Sequence, residues 1–143
     1  MMKLAFITDE ATQSLAEAIA FAKRHKLDGV ELRSVDGLPI DQIPQSTLLS
    51  YRKALDDAGL RVCNLAGSFF KSKPQEREAE LKKLGRLCDA ADILGCDTIR
   101  GFAFFASASG PEITEETLAA FSPAVELLTK RGKQLLLEAD PSV

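Results

Sequence analysis

The 143-residue sequence predicts an α/β fold with a parallel sheet, four βα units followed by a fifth strand, and three observations predict it. Apolar strand-like runs alternate with helical patterns, and the strand starts recur about every 27 to 37 residues, the length of a βα unit with its loops. The joints from helix to strand repeat in kind: Asp28-Gly29-Val30, Gly59-Leu60-Arg61, Gly95-Cys96-Asp97 and Gly132-Lys133-Gln134. The last run, Gln134 to Leu137, carries three consecutive leucines, the pattern of a strand buried on both faces of a helix-covered sheet. Two architectures satisfy this order. One is a doubly wound five-strand sheet, which normally closes with a helix over its last strand. The other is part of an eight-stranded (β/α)8 barrel, for which about 250 residues is typical. The final strand has no helix after it and runs into Asp140-Pro141, an N-cap followed by a first-turn proline. That ending favours the partial barrel, with residues 1–143 as one domain and the sheet in sequential order.

Taken in order, Lys3 to Ile7 is the first strand and Thr8-Asp9-Glu10 a polar turn. Ser14-Leu15-Ala16-Glu17 matches a capping box, in which serine and glutamate each satisfy one orphan amide. Leu15, Ile19 and Ala22 then recur at helical spacing to about Lys26. Val30 to Arg33 is the second strand, followed by a loop punctuated by Pro39 and Pro44. A helix with Leu48, Leu55 and Ala58 inward ends at Gly59. Leu60 to Leu65 is the third strand, and Gly67 to Lys73 a loop carrying Phe69 and Phe70. Pro74 opens a long helix whose early Glu76, Glu78 and Glu80 suit its dipole and whose stripe is Leu81, Leu84, Cys88, Ala91 and Leu94. Asp97 to Phe102 is the fourth strand. The fourth helix spans roughly Glu115 to Lys130, where Pro123 removes one amide donor and predicts a kink or a split.

Composition narrows the function classes. With 45% hydrophobic and 27% charged residues, the chain has the makeup of a soluble globular protein. A net charge of −3 with basic residues scattered over helix faces argues against a nucleic-acid surface. No segment reaches membrane-spanning length, and Leu4 to Ile7, followed by Asp9 and Glu10, is too short for a signal peptide. Cys63, Cys88 and Cys96 lack C-x-x-C spacing and read as buried, reduced thiols, so the cytoplasm is the expected compartment.

Chemistry is expected where strands end, because loops converge on one face there. The candidates are Asp9, Glu10, Glu31, Arg33, Asn64, Arg100 and Glu138. Two cations and several carboxylates at one mouth suit a phosphorylated or polyhydroxylated substrate, since arginine binds phosphate or carboxylate with two hydrogen bonds. Glu31 with Arg33 or Arg100 reads equally as a structural ion pair. The only histidine, His25, ends the first helix between Arg24 and Lys26, a position that suits dipole and solvent. No Ser/His/Asp set and no glycine-rich phosphate loop can be assembled. Phe102-Ala103-Phe104-Phe105 reads as core and pocket wall.

The segments Lys3 to Glu10, Asp28 to Arg33, Phe69-Phe70-Lys71, Ile99-Arg100-Gly101-Phe102 and Leu136-Leu137-Glu138 together resemble the sugar phosphate isomerase/epimerase family, with its xylose isomerase-like TIM barrels. The resemblance implies the N-terminal half of such a barrel. It implies a sugar or sugar phosphate substrate, proton transfer through an enediolate, and one divalent metal (manganese, magnesium, cobalt or zinc) in the complete barrel. Glu138 resembles the first of four metal ligands and one of the two proton-transfer carboxylates, the other ligands coming from later strands. Ala139 stands where the family often carries asparagine. Glu31, Arg33 and Arg100 resemble substrate-binding residues of the pocket rim. On this reading the chain is a truncated portion, inactive alone and able to bind no metal by itself. The alternatives are a half-barrel module that forms a homo-oligomer through open sheet edges and a doubly wound domain binding a small ligand.

Overall fold

The structure, a computed structural model, describes residues 2–105 and 115–139. Five strands form one parallel sheet: β1 (Ala5–Ile7), β2 (Gly29–Leu32), β5 (Arg61–Ala66), β6 (Thr98–Gly101) and β7 (Gln134–Leu137). They lie side by side in chain order, each paired in parallel with the next. That order excludes the doubly wound sheet, in which the strand order reverses at a switch point. The intervening helices are α1 (Leu15–Arg24), α2 (Gln45–Asp57), α3 (Arg77–Leu94) and α4 (Glu115–Arg131). Right-handed crossovers between sequential parallel strands bring all four to one face. There Val30, Leu32, Leu65 and Ile99, all fully buried, meet Leu55, Leu84, Leu87 and Leu94.

Local signals explain most element boundaries. Ser14 caps α1 by accepting the Glu17 amide. The reciprocal half of the capping box is replaced by a relay, because the Thr12 hydroxyl lies closer. Thr12 Oγ1 accepts the Ser14 amide and donates to the Glu17 carboxylate at 2.6 Å. Gly95 ends α3 at φ +66°, a left-handed cap, and Arg52 reaches across from α2 to donate to the Leu94 carbonyl. Gly29 is needed for another reason: a Cβ there would stand 2.5 Å from the Arg61 carbonyl oxygen of the adjacent strand. Gly29→Ala is therefore expected to cost about 1–3 kcal/mol through strand separation, measurable by urea denaturation.

Four expectations are corrected. The segment after β2 is more than a loop: β3 (Ser34–Val35) and β4 (Leu38–Pro39) form a hairpin around Asp36-Gly37, both at positive φ, the geometry of a tight primed turn. Tyr51 fastens it by donating to Asp36 at 2.8 Å, and burial pushes that phenol up to about 12, so it stays a donor. Second, α4 is not split at Pro123; its buried Ala120, Ala124 and Leu128 hold it to the core despite the missing donor. Third, β7 is not buried on both faces: Leu136 is 48% and Leu137 57% exposed, because β7 pairs only with β6 among the described residues. Fourth, Cys63 is exposed while Cys88 and Cys96 are buried; all three are free, and burial raises the Cys88 and Cys96 thiols above their ordinary value. The Asp140-Pro141 helix start lies outside the described residues.

Asp92 joins α3 to the segment leading into β7, accepting from Lys133 and Arg131, which hold its carboxyl below the ordinary value. A depressed carboxyl contributes stability above its unfolded pKa and loses it as pH falls through the folded one. Asp92 is half exposed, so Asp92→Asn is expected to cost at most about 1 kcal/mol at neutral pH. The gap to wild type should close as pH falls through the depressed folded-state pKa in an acid-denaturation series.

Candidate functional site at the strand ends

The C-terminal ends of the strands carry two ion-pair networks. In the first, Arg100 at the end of β6 pairs with Glu138, just past β7, and its Nε lies 3.5 Å from Glu31 Oε1 on β2. Parallel alternation explains this meeting. Leu32, Leu65, Ile99 and Leu135 turn toward the helices, so Glu31, Asn64, Arg100 and Leu136 turn to the other face. A register shift between Val30 and Glu31 sets Glu31 opposite Asn64. The Glu138 amide continues the ladder to the Gly101 carbonyl at 2.9 Å, which keeps its side chain over Arg100.

The second network holds Arg33. Its guanidinium donates to Asp9 at 2.9 Å and to Glu10 at 2.7 Å, and the hydrogen bond to Asp9 raises it above its ordinary value. Ser34 donates to the same Asp9 oxygen at 2.6 Å, and Gln13 bridges to Ser34 and to the Gly37 amide. Of the sequence-predicted residues, the structure thus brings together Glu31, Arg100 and Glu138. It gives Arg33 to Asp9 and Glu10 instead of Glu31, because these follow β1, the strand paired with β2.

An aromatic knot lies on the helix side of the strand ends, between the sheet and α4. Phe69, Phe70 and Phe104 are fully or nearly fully buried, with ring centroids 3.9 Å apart for Phe69–Phe70 and 4.0 Å for Phe70–Phe104. The two strand-end loops are laced together by the amides of Phe102, Phe104 and Phe105 donating to the carbonyls of Phe69, Phe70 and Ser72. Phe70 and Phe104 sit at φ +60° and +69°, a conformation that bulky residues adopt only where the surroundings enforce it. At Phe70 the backbone is held by Glu80, read from sequence as a dipole partner: it is buried, accepts the Phe70 amide at 2.7 Å and pairs with Lys83. Its signal was a carboxylate in the first turns of α3, downstream of two adjacent phenylalanines. Glu80→Gln keeps an acceptor and should be mild; Glu80→Ala strands a buried amide and should cost about 1–3 kcal/mol in thermal unfolding.

Among the described residues, five buried polar atoms have no hydrogen-bond partner: Thr8 Oγ1, Asp9 Oδ1, Glu31 Oε1, Asn64 Oδ1 and Arg100 Nε. All belong to the ends of β1, β2, β5 and β6. A divalent metal does not fit the described residues on their own. No three histidine, cysteine, aspartate or glutamate side chains among them gather to hold one, and Glu138 is committed to Arg100.

Comparison with known proteins follows this geometry. No curated protein matches the sequence. Among solved structures, the fold matches the probable 3-DHS dehydratase AsbF from Bacillus anthracis at TM-score 0.74 and 19% identity, covering 99% of this chain and 54% of that one. It matches 3-keto-D-glucoside 4-epimerase YcjR from E. coli at TM-score 0.72 and 16% identity, covering 99% and 57%. The IOLI protein, solved with a zinc atom, matches at TM-score 0.68 and 18% identity, covering 95% and 51%. The chain spans about half the length of each. No helix among the described residues is long and apolar enough to cross a membrane. The family model described as xylose isomerase-like TIM barrel matches residues 19–142, and with a sequential parallel sheet carrying its polar groups at the strand ends, the chain belongs to that family.

Proposed function

We propose that the chain forms the N-terminal half of a cytoplasmic sugar or sugar phosphate isomerase or epimerase, and that it is inactive alone. The observation that carries this reading is the Glu138 carboxylate at the strand-end rim, paired with Arg100 beside Glu31. In the completed barrel, Glu138 takes the proton from the carbon next to a sugar carbonyl, and the electron pair moves onto the carbonyl oxygen to give an enediolate. Arg100 and Glu31 bind and orient the sugar, Arg33 lies farther along the rim, and a second carboxylate from the other half returns the proton. Glu138 is also the residue this chain offers to a divalent metal in the whole barrel. Whatever the metal supplies, the proton itself moves between side chains, Glu138 and the second carboxylate.

Deuterium uptake tests the reading. Incubated with a ketose in D2O, the 143-residue chain is expected to add no deuterium above buffer, while a protein extended through a second half-barrel exchanges at the carbon beside the carbonyl. Absence of exchange in the extended protein with both free and phosphorylated ketoses would sink it.

A second reading rests on the sheet edges. β1 and β7 each pair on one side only among the described residues, and Leu4, Leu136 and Leu137 are exposed there. Exposed edges drive strand pairing, so a homo-oligomer is expected by light scattering, and a monodisperse monomer would count against it.

A further inference from the structure

Two of the three thiols meet at the end of the sheet away from the mouth. The starts of β1, β2, β5 and β6 border a cavity of about 440 Å³, and both Cys63 and Cys96 line it. Stepping back from the Leu65–Ile99 pairing sets Cys63 level with Asp97, so Cys96 stands one residue off on the adjacent strand line. Strand spacing and rise put the two Cα atoms about 6 Å apart, within the span a disulfide bridges. Cys96 also acts electrostatically on Cys63. The register shift beside Glu31 leaves Cys63 as the extra residue between Val62 and Asn64, which are level with Val30 and Glu31.

The two thiols differ in access. Cys63 is exposed, whereas Cys96 is 2% exposed. Cys63 Sγ donates to the Val30 carbonyl of β2 at 3.3 Å, and Cys96 Sγ donates to the Thr98 carbonyl at 3.3 Å. Thiols are weak donors, so rotation about χ1 turns either sulfur toward the other without breaking a strong pair. Burial holds the Cys96 thiol above its ordinary value, which makes it the slower of the two to meet a disulfide from solvent. Cys88 is fully buried in the core and lines no part of this cavity.

We propose that Cys63 and Cys96 form a thiol modification site, in which Cys63 is thiolated by glutathione disulfide and Cys96 resolves the adduct to an internal Cys63–Cys96 disulfide. The Cys63 thiolate attacks one sulfur of the glutathione disulfide, and the other half leaves as a thiolate. The Cys96 thiolate then attacks Cys63 Sγ, and the second glutathione leaves. Two electrons pass from the protein to the small disulfide, and the two thiol protons end on the released glutathiones. The link staples β5 to β6 across the chain between them. It requires none of the sugar-handling groups.

The test incubates the native 143-residue chain with excess glutathione disulfide, blocks remaining thiols by alkylation and maps peptides by mass spectrometry. Cleavage at lysine, arginine and aspartate separates all three cysteines. A Cys63–Cys96 linked peptide is expected, with Cys88 recovered as a free thiol after unfolding. Cys96→Ala should stop at one glutathione on Cys63, and Cys63→Ala should slow modification about 10-fold or more. Cys88→Ala should form the link as wild type does. Reducing the linked form should lower its melting temperature by about 5 °C or more. The wild-type peptide map decides the matter even where a variant fails to fold. A link through Cys88, a covalent dimer through Cys63, a glutathione adduct that persists in wild type, or no modification overturns the proposal.

Discussion

Truncating Phe70 to alanine is expected to lower stability by about 3–5 kcal/mol, the range for a fully buried phenylalanine. For a chain of this size that is a fall of about 10–15 °C in melting temperature. Phe70 has no exposed surface and touches three other rings, with centroids 3.9 Å from Phe69, 4.0 Å from Phe104 and 4.8 Å from Phe121. Those partners come from its own loop, the β6–α4 loop and α4, so no single element can collapse to fill the void. Alanine gains nothing in return, because its Cβ is as strained at φ +60° as that of phenylalanine. The effect should reach the site, since the Phe70 loop accepts the amides that hold the segment after Gly101. Calorimetry measures the loss directly. A cost below about 1 kcal/mol would mean the four rings do not form one packing unit.

Glu138→Gln is expected to reduce deuterium exchange in a completed barrel by about 10²–10⁴-fold, the usual share of a positioned acid–base group. Glutamine keeps an oxygen that accepts from Arg100 but cannot take a proton from carbon. The loss should therefore fall on kcat, with KM changed by no more than about 3-fold, the pattern of an interaction made only in the transition state. In the isolated chain the same change should cost less than about 1 kcal/mol, because Glu138 is 35% exposed. A variant that exchanges within about 10-fold of wild type would assign proton transfer elsewhere.

Read by itself, the sequence determined the succession of elements. Helical spacing, the Ser14 cap and the left-handed stop at Gly95 are local, acting within a turn or two. It also placed Glu31, Arg100 and Glu138 at strand ends, since a strand end is where an apolar run stops. The Asp36-Gly37 hairpin was legible too, as a two-residue turn signal between Val35 and Leu38, but the prolines around it dominate the pattern.

Only the tertiary structure decided which polar tips meet. That Arg100 joins Glu138 and Glu31, while Arg33 joins Asp9 and Glu10, follows from strand adjacency and from the register shift beside Glu31. The burial of Phe69, Phe70 and Glu80 within one knot depends on α3 and the loop after β6 arriving together. The exposure of Leu136 and Leu137 likewise depends on what lies beside β7. An apolar run records a side chain's hydrophobicity, whereas burial and pairing belong to neighbours tens of residues away along the chain, which no local pattern encodes.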